Sequence, residues 1–253
     1  MPGQYRDLNI LLRHMANDDF AALVSATTLV DMVKGENFAV PEMRLLHSWF
    51  PLSGIVSVVA TTARGDQAEV GIVGREGMIS VATIYGVDWE TMNIFNQVPG
   101  RALRVPAEKI AMMMTASPSF RGHLLNYAQS FTLQIASTAL AYASRSIEER
   151  LARWLLMSLD RLDTAEVALT HESLSLMLGV RRAGVNVALN ALKGKGALIL
   201  RRGIIVVINR SILLGIANDS YGTHERAYER LIGTAIGPYW SPVFNGAAID
   251  TLN

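Results

Sequence analysis

The sequence predicts an α+β fold in three parts: a β-rich N-terminal domain, a long helix, and two short helices followed by a β-hairpin. Short β-rich runs separated by glycine and proline fill residues 38–105, and an unbroken helical stripe covers residues 118–144. Two amphipathic segments then flank a corner at Gly179. Regularly spaced short strands with such punctuation are typical of a small β-barrel or sandwich.

Composition limits the class of protein. A chain of 253 residues, 50% apolar and 18% charged, is typical of one large globular domain or two ordinary ones. It contains no run of 18 uncharged apolar residues, and charged residues already occur within the first 15 positions. We therefore expect neither a membrane span nor a signal peptide, and a cytoplasmic protein.

Several kinds of site are excluded by residue type. Cysteine is absent, which excludes disulfides, cysteine nucleophiles, thiolate zinc sites and cysteine-ligated iron–sulfur clusters. The five histidines are scattered without a ligand pattern, so each is interpreted as a surface or packing residue. No phosphate-binding loop, nucleophile elbow or paired carboxylates are visible, and the sequence does not indicate an enzyme.

Charge is unevenly distributed along the chain. Residues 145–211 hold 11 Lys and Arg against 6 Asp and Glu, a net charge of +5, whereas the rest holds 12 against 16, a net charge of −4. This pattern favours a polyanion-binding module joined to a mildly acidic domain. Chance clustering is the alternative, and charge alone does not separate the two.

The N-terminal part is predicted to begin with a helix from residue 8 and a second, short helix starting at Asp18-Asp19. Residues 63–66 form a predicted hairpin tip. The predicted strands are Leu45–Phe50, Ile55–Thr61, Glu69–Val73, Met92–Val98 and Ala102–Val105.

Helical periodicity returns at residues 107–115, over the long helix to about Ser144, and at residues 146–162. The apolar stripe of the long helix is either a dimer seam formed with a second copy or the inner face of a core helix. A short helix is predicted over 225–232, followed by a weakly ordered tail. The candidate dimer-interface residues are Phe120, Leu124, Tyr127, Phe131 and Thr138.

Residues 170–192 predict two helices that cross at a tight corner. Thr170 is a suitable N-cap, Glu172 suits the positive end of the helix dipole, and Gly179 accommodates a positive φ at the corner. An ordinary helical corner is the alternative. The apolar residues that the two helices are expected to share are Leu174, Leu178, Val180, Val185 and Ala188.

A hairpin with an Arg-Gly turn follows, so residues 170–208 predict a winged helix-turn-helix. The second helix, about 181–191, would expose Arg181, Arg182, Asn186 and Asn190. Arginine can donate to guanine O6 and N7, and asparagine can pair with adenine. Basic side chains around the hairpin suit phosphates, with a solvated surface as the alternative. These are Lys193, Lys195, Arg201 and Arg202.

With these residues in place, the chain resembles the Crp/Fnr superfamily of bacterial transcription regulators over roughly residues 8–222. The segments that carry the resemblance are 50–54, 69–78, 146–157 and 169–192. The resemblance implies a cyclic-nucleotide-binding-like β-roll (double-stranded β-helix), a long dimerisation helix and a C-terminal winged helix-turn-helix. The domain boundaries that we expect are 1–117, 118–144, 145–222 and a tail at 223–253.

The resemblance also implies roles for individual residues. Thr170 would contact phosphate and Arg182 would read a base. Two further reading positions fall on Ala183 and Val187, where well-known members carry Glu and Arg, so the usual half-site is not expected. Asn186, Ala183 or Val187 would read different bases. The expected phosphate contacts are Thr170, Arg181, Lys193, Arg201 and Arg202.

The sensor departs from the cyclic-AMP-binding pattern. Residues 91–98 supply no arginine for a cyclic phosphate, although Arg75 or Arg101 could substitute. A buried phosphate without a charged partner would lose about 1.5–3 kcal/mol. The glycines at 71, 74 and 77 are interpreted as β-roll turns more readily than as a phosphate cradle. We expect no cofactor: neither cyclic AMP, nor an iron–sulfur cluster, nor haem.

The leading hypothesis is a homodimeric, sequence-specific DNA-binding transcription regulator that acts on a pseudo-palindromic operator. RNA polymerase and an unidentified small-molecule effector are further expected partners, and a membrane is not. The alternative is an effector-binding sensor that acts through protein partners, with weak or non-specific DNA binding.

Overall fold

The computed structural model describes residues 2–162 and 164–237, which form two units. The first unit contains residues 2–139 and 224–236. The second contains the described residues between 140 and 223, together with Gly237. The chain therefore leaves the first unit within the last turns of a long helix and returns to it at residue 224.

Ten strands form three antiparallel sheets within the described residues. The sheet orders are β1-β7-β3, β2-β6-β4-β5 and β8-β10-β9. The strands are β1 (Thr28–Met32), β2 (Asn37–Ala39), β3 (His47–Pro51), β4 (Ile55–Thr61), β5 (Gln67–Val73), β6 (Asn93–Val98), β7 (Gly100–Pro106), β8 (Glu166–Ala168), β9 (Leu198–Arg201) and β10 (Ile204–Val207).

The helices alternate with these sheets along the chain. Short 3₁₀ segments lie at Pro2–Leu8, Val81–Tyr85 and Asn218–Ser220. The α-helices of the described residues are α1 (Ile10–Arg13), α2 (Asn17–Val24), α3 (Ala107–Ala116), α4 (Pro118–Ser144), α5 (Ile147–Leu159), α6 (His171–Leu178), α7 (Arg182–Gly194), α8 (Arg210–Ala217) and α9 (Thr223–Ile232).

The first seven strands make a two-sheet β-roll. One apolar core contains side chains of both sheets, with Met32 and Ala102 from one and Phe38, Val56 and Ile94 from the other. The predicted β-rich domain and its α+β class are confirmed.

The strand predictions were correct at β3 to β7 but missed β1 and β2. Strand β1 is mostly exposed, and β2 is only three residues long and interrupted by a bulge. Neither carries the apolar alternation on which strand prediction depends. The hairpin tip is confirmed, because Thr61 pairs with Gln67 and Gly65 has a φ of 89°.

A loop that follows β5 is held by hydrogen bonds from several other segments of the chain. Its four successive carbonyl groups, those of residues 75–78, each accept a hydrogen bond from another segment. Buried backbone carbonyls need such partners, so the loop has little freedom to change conformation alone. The donors are, in order, Ile10 N–H (2.6 Å), the Tyr228 hydroxyl (2.6 Å), the Asn9 side-chain amide (3.0 Å) and the Tyr127 hydroxyl (3.0 Å).

Two glycines allow helix α4 to lie close to the β-roll. A Cβ on Gly77 would lie 2.2 Å from the Tyr127 hydroxyl oxygen, and one on Gly71 would lie 3.0 Å from the Phe131 ring. Neither glycine has a positive φ, so close approach rather than a left-handed conformation explains the need for glycine. Gly71 lies within β5, so its interpretation as a turn glycine is wrong, whereas the Gly77 N–H donates to the Gly74 carbonyl at 3.1 Å and closes a turn as interpreted.

The predicted dimer stripe of α4 is buried inside its own chain. Phe120, Leu124 and Tyr127 belong to a core shared with α1 and α3, Phe131 belongs to the β-roll core, and Thr138 is 8% exposed. A side chain that is already covered by its own chain cannot meet a second copy. The prediction that these five residues form a dimer interface is therefore wrong. This stripe is the inner face of a core helix.

The opposite face of α4 is exposed. It carries Leu125, which is 43% exposed, and Leu140, which is 64% exposed. Seven exposed positions recur there at alternating steps of three and four residues, and none is charged. They are Gly122, Leu125, Gln129, Thr132, Ala136, Ala139 and Ala143, which together we call the outer stripe.

Helix α9 confirms the helix predicted over 225–232 and belongs to the first unit. Tyr228 is fully buried, the Asn126 amide donates to the Leu231 carbonyl at 3.1 Å, and the Ser130 hydroxyl lies 3.2 Å from His224 Nε2. The weakly ordered tail predicted beyond it lies outside the described residues from position 238 onward.

Replacing Tyr228 by Phe tests how strongly α9 holds the 75–78 loop. The change removes the hydroxyl that donates to the Glu76 carbonyl while keeping the ring. We expect a loss of about 1–2 kcal/mol in the free energy of unfolding, measured by urea denaturation. Tyr85→Phe is the control because Tyr85 is 57% exposed. Equal stability of the two variants would contradict this account.

Candidate nucleic-acid interface

Helix α5 is the centre of the second unit. It begins with a capping box, in which the Ser146 hydroxyl accepts from Glu149 N–H at 3.2 Å and the Glu149 carboxylate accepts from Ser146 N–H at 2.8 Å. The bond from Ser146 N–H, followed by a contribution from the Ser146 hydroxyl, holds the pKa of the Glu149 carboxyl below its ordinary value. Leu151 and Leu155 are fully buried, and α5 packs against α7 and α8.

A polar network at the end of α5 fixes helix α8. Asp160 is 1% exposed, and Arg210 donates to it at 2.7 Å and to the Tyr221 hydroxyl at 2.9 Å. The Tyr221 hydroxyl in turn donates to Asp160. Burial alone would lower the pKa of Arg210, but Asp160 and Tyr221 outweigh it and the pKa is raised. Sequence reasoning missed this network, because its members are up to 61 residues apart.

Helix α6 has the cap that the sequence predicts. The Thr170 hydroxyl accepts from Ser173 N–H at 3.1 Å, and Glu172 lies in the first turn. The helix ends at Gly179, whose φ of 60° is the left-handed conformation expected at this corner. The corner is supported from one side by Tyr142, whose hydroxyl donates to the Met177 carbonyl.

Helix α7 crosses α6 with its apolar face inward. Leu174 and Val185 are fully buried, Leu178 is 1% exposed and Ala188 is 3% exposed, as predicted, whereas Val180 is only half-buried. A Cβ on residue 184 would approach the Ile147 side chain to 3.1 Å, so glycine there permits close packing against α5. The helix runs from 182 to 194, so it begins one residue later and ends three residues later than predicted.

The outer face of α7 contains the predicted reading residues. All of them are exposed, and the apolar Val187 is 72% exposed. An isolated apolar side chain at such exposure gains nothing from the fold of its own chain. The exposed set is Arg181, Arg182, Ala183, Asn186, Val187 and Asn190.

The predicted hairpin is strands β9 and β10, joined by a turn in which Gly203 has a φ of 72°. Arg201 ends β9 and Arg202 lies in the turn, and both are exposed. A third strand, β8, pairs with β10 and was not predicted because it is three residues long. The two crossed helices and this small sheet define a winged helix-turn-helix domain.

Three of the basic side chains have carboxylate partners that the sequence did not reveal. Arg182 Nη2 lies 3.1 Å from a Glu172 carboxylate oxygen, and Arg201 Nη1 lies 3.2 Å from a Glu166 carboxylate oxygen. Lys195 pairs with Glu148. Thr170, Arg181, Lys193 and Arg202 are exposed.

Other kinds of site are not found in the described residues. Within 2–162 and 164–237, no three His, Asp or Glu side chains are placed together to hold a metal ion. Across the same residues no helix has the length and apolarity that crossing a membrane requires.

Comparison with known proteins agrees with this domain assignment. Residues 149–216 match the Crp-like helix-turn-helix domain family. A search of curated protein sequences gives no match.

Several solved structures share the fold. A putative Crp/Fnr-family transcriptional regulator from Eubacterium rectale is 16% identical, with a TM-score of 0.65, covering 83% of this chain and 99% of that one. FixK2 from Bradyrhizobium japonicum is 16% identical, with a TM-score of 0.64, covering 76% and 98%. A Crp-family regulator from Thermus thermophilus is 12% identical, with a TM-score of 0.63, covering 74% and 96%.

The chain thus combines a β-roll, a long helix and a winged helix-turn-helix, which is the fold of Crp/Fnr-type transcription regulators. Its second unit contains a Crp-like helix-turn-helix domain. The resemblance seen in the sequence is confirmed.

Proposed function

We propose that this protein is a homodimeric, sequence-specific DNA-binding transcription regulator of the Crp/Fnr type. The observation that carries the proposal is the two-sided character of α7. Its inner face is buried, whereas its outer face presents two arginines, two asparagines and an exposed valine. This is the arrangement with which a recognition helix enters the major groove of DNA.

The chemistry of the outer face suggests which bases are read. Arg182 would donate to guanine O6 and N7, and Asn186 would pair with adenine N6 and N7. Ala183 and Val187 would contact thymine methyl groups, which the 72% exposure of Val187 makes accessible. The resulting half-site differs from that of relatives that carry charged residues at those two positions.

Phosphate contacts would hold the domain in register. Such contacts position a protein on the duplex and make its affinity dependent on salt, without reading sequence. The wing tip, the end of α7 and the capped start of α6 supply them. The residues are Thr170, Arg181, Lys193, Arg201 and Arg202, all exposed.

Dimerisation would use the outer stripe of α4 in place of the five residues first predicted. Steps of three and four residues are the heptad spacing of a coiled-coil seam, and small residues let two helices approach closely. The stripe is exposed and uncharged along the described length of the helix. Two paired domains could then reach successive major grooves about 34–36 Å apart.

The β-roll is proposed to act without a cyclic nucleotide bound in the usual manner. Residues 91–98 contain no arginine, and Arg101 is exposed on β7. The Phe131 ring and the Gln134 side chain both approach Gly71, so side chains of α4 occupy that side of β5. RNA polymerase is the proposed partner on DNA, and the effector, if one is used, is of another class.

Replacing Arg182 by Ala tests base reading. We expect a loss of about 1–3 kcal/mol on the specific site, confined to one base-pair position, because a bidentate guanine contact is removed. Fluorescence anisotropy on genomic fragments and their single-base variants measures it. Arg202→Ala, which removes a proposed phosphate contact, is the control and should weaken binding equally on all sequences.

Unchanged binding by the Arg182→Ala variant would refute the proposal. A wild-type protein whose affinity falls steeply with salt but shows no sequence preference would favour the alternative, a sensor that acts through protein partners.

Replacing Leu125 by Glu tests the outer stripe. Because Leu125 is 43% exposed in the single chain, the change should leave the fold intact while placing two like charges across the seam. We expect a monomer in sedimentation velocity and independent binding to each half-site. Met112→Glu, at a residue of α3 that is 54% exposed, is the control and should remain dimeric. A dimeric Leu125→Glu protein would show that the seam lies elsewhere.

A further inference from the structure

The ion pair between Glu172 and Arg182 joins the two helices of the domain at their exposed ends. Glu172 lies in the first turn of α6, Arg182 is the first residue of α7, and 3.1 Å separates Oε2 from Nη2. The side chains are 79% and 65% exposed, respectively. The proposed base-reading arginine is therefore already engaged before any DNA is bound.

Stability does not explain this pair. Ion pairs between side chains so exposed to water contribute little to folding, because solvent screens them and two long side chains must be ordered. Affinity for DNA does not explain it either. Glu172 is two residues from Thr170, a proposed phosphate contact, and a carboxylate near phosphates is repelled by them. Glu172 should therefore weaken binding to any DNA.

The remaining effect of the ion pair is on the orientation of the Arg182 guanidinium. The group has five N–H donors in a fixed planar fork, and one bond to Glu172 leaves the others available to a guanine edge. A free arginine side chain can instead turn toward a neighbouring phosphate and contribute charge without reading sequence. A carboxylate that fixes one Nη atom restricts that alternative before binding, which is pre-organisation.

We propose that Glu172 is a positioning residue for base recognition, which holds the Arg182 guanidinium toward the base edge at the expense of general DNA affinity. This inference rests on the proposed function. Glu172 sets how selectively Arg182 reads its base, and it lowers binding to all other sequences.

The wing supplies a matched control. Glu166 and Arg201 form a pair with nearly the same separation, 3.2 Å, and are 45% and 50% exposed. Arg201 is a proposed phosphate contact, and a phosphate contact carries no sequence information. Removing the Glu166 charge should therefore raise general affinity without changing selectivity.

The experiment compares wild type, Glu172→Gln and Glu166→Gln as full-length proteins. Binding is measured on one operator fragment, its single-base variants and a non-specific duplex, over a series of salt concentrations. Both substitutions should strengthen non-specific binding and steepen the log–log salt slope by about 1 per subunit, or about 2 for the proposed dimer. Only Glu172→Gln should reduce discrimination at the base pair that Arg182 reads. The reduction should be about 3- to 10-fold, compared with the roughly 5- to 150-fold discrimination that one bidentate contact supplies.

Comparison with Arg182→Ala on the same fragments identifies that base pair. The thermal unfolding midpoint verifies that the Glu172→Gln protein is folded. If this folded variant discriminates between bases as well as the wild type does, the positioning role is overturned while the proposed function stays intact. Equal loss of discrimination in Glu166→Gln would also overturn it. Absence of sequence preference in the wild type would overturn the proposed function itself.

Discussion

The interface depends on one packing constraint, the crossing of α6 and α7 at Gly179. The left-handed conformation of this residue, with a φ of 60°, turns the chain sharply enough for both short helices to bury their apolar faces against α5 and each other. Once Val185 and Ala188 are buried, helical geometry places Arg182, Asn186 and Val187 on the outside. A side chain at position 179 would be strained in this conformation, and tilting α7 would move every residue proposed to read bases together.

In the first unit, one face of helix α4 is buried and the opposite face is exposed. Gly71 and Gly77 let α4 approach the β-roll, where its aromatic stripe is covered by the unit's own core. The uncharged outer stripe stays exposed. The loop at 75–78 accepts bonds from the start of α1, from α4 and from α9, so these helices share one anchoring point. The buried face of this helix serves folding, and the exposed face is the one that we propose for association.

Local signals account for what the sequence could predict. The N-cap Thr170, the corner Gly179 and the turn glycines at 65 and 203 each act within a few residues, and those elements were located correctly. The faces of α4 could not be assigned, because both stripes are uncharged and the elements that cover one of them, the β-roll, α1 and α3, meet it only in the folded chain. The strands β1, β2 and β8 are too short or too exposed to show a period. The partners of Arg182, Arg201 and Arg210 lie 10 to 50 residues away and become neighbours only in the folded chain.

The central claim is that two copies of α7 lie in successive major grooves of one duplex. Methylation-protection footprinting of a bound genomic fragment tests it most directly, because guanine N7 is accessible from the major groove. The account predicts two protected segments on one face of the DNA, with centres about 10 base pairs apart. A single protected segment, or protection confined to the minor groove, would contradict it.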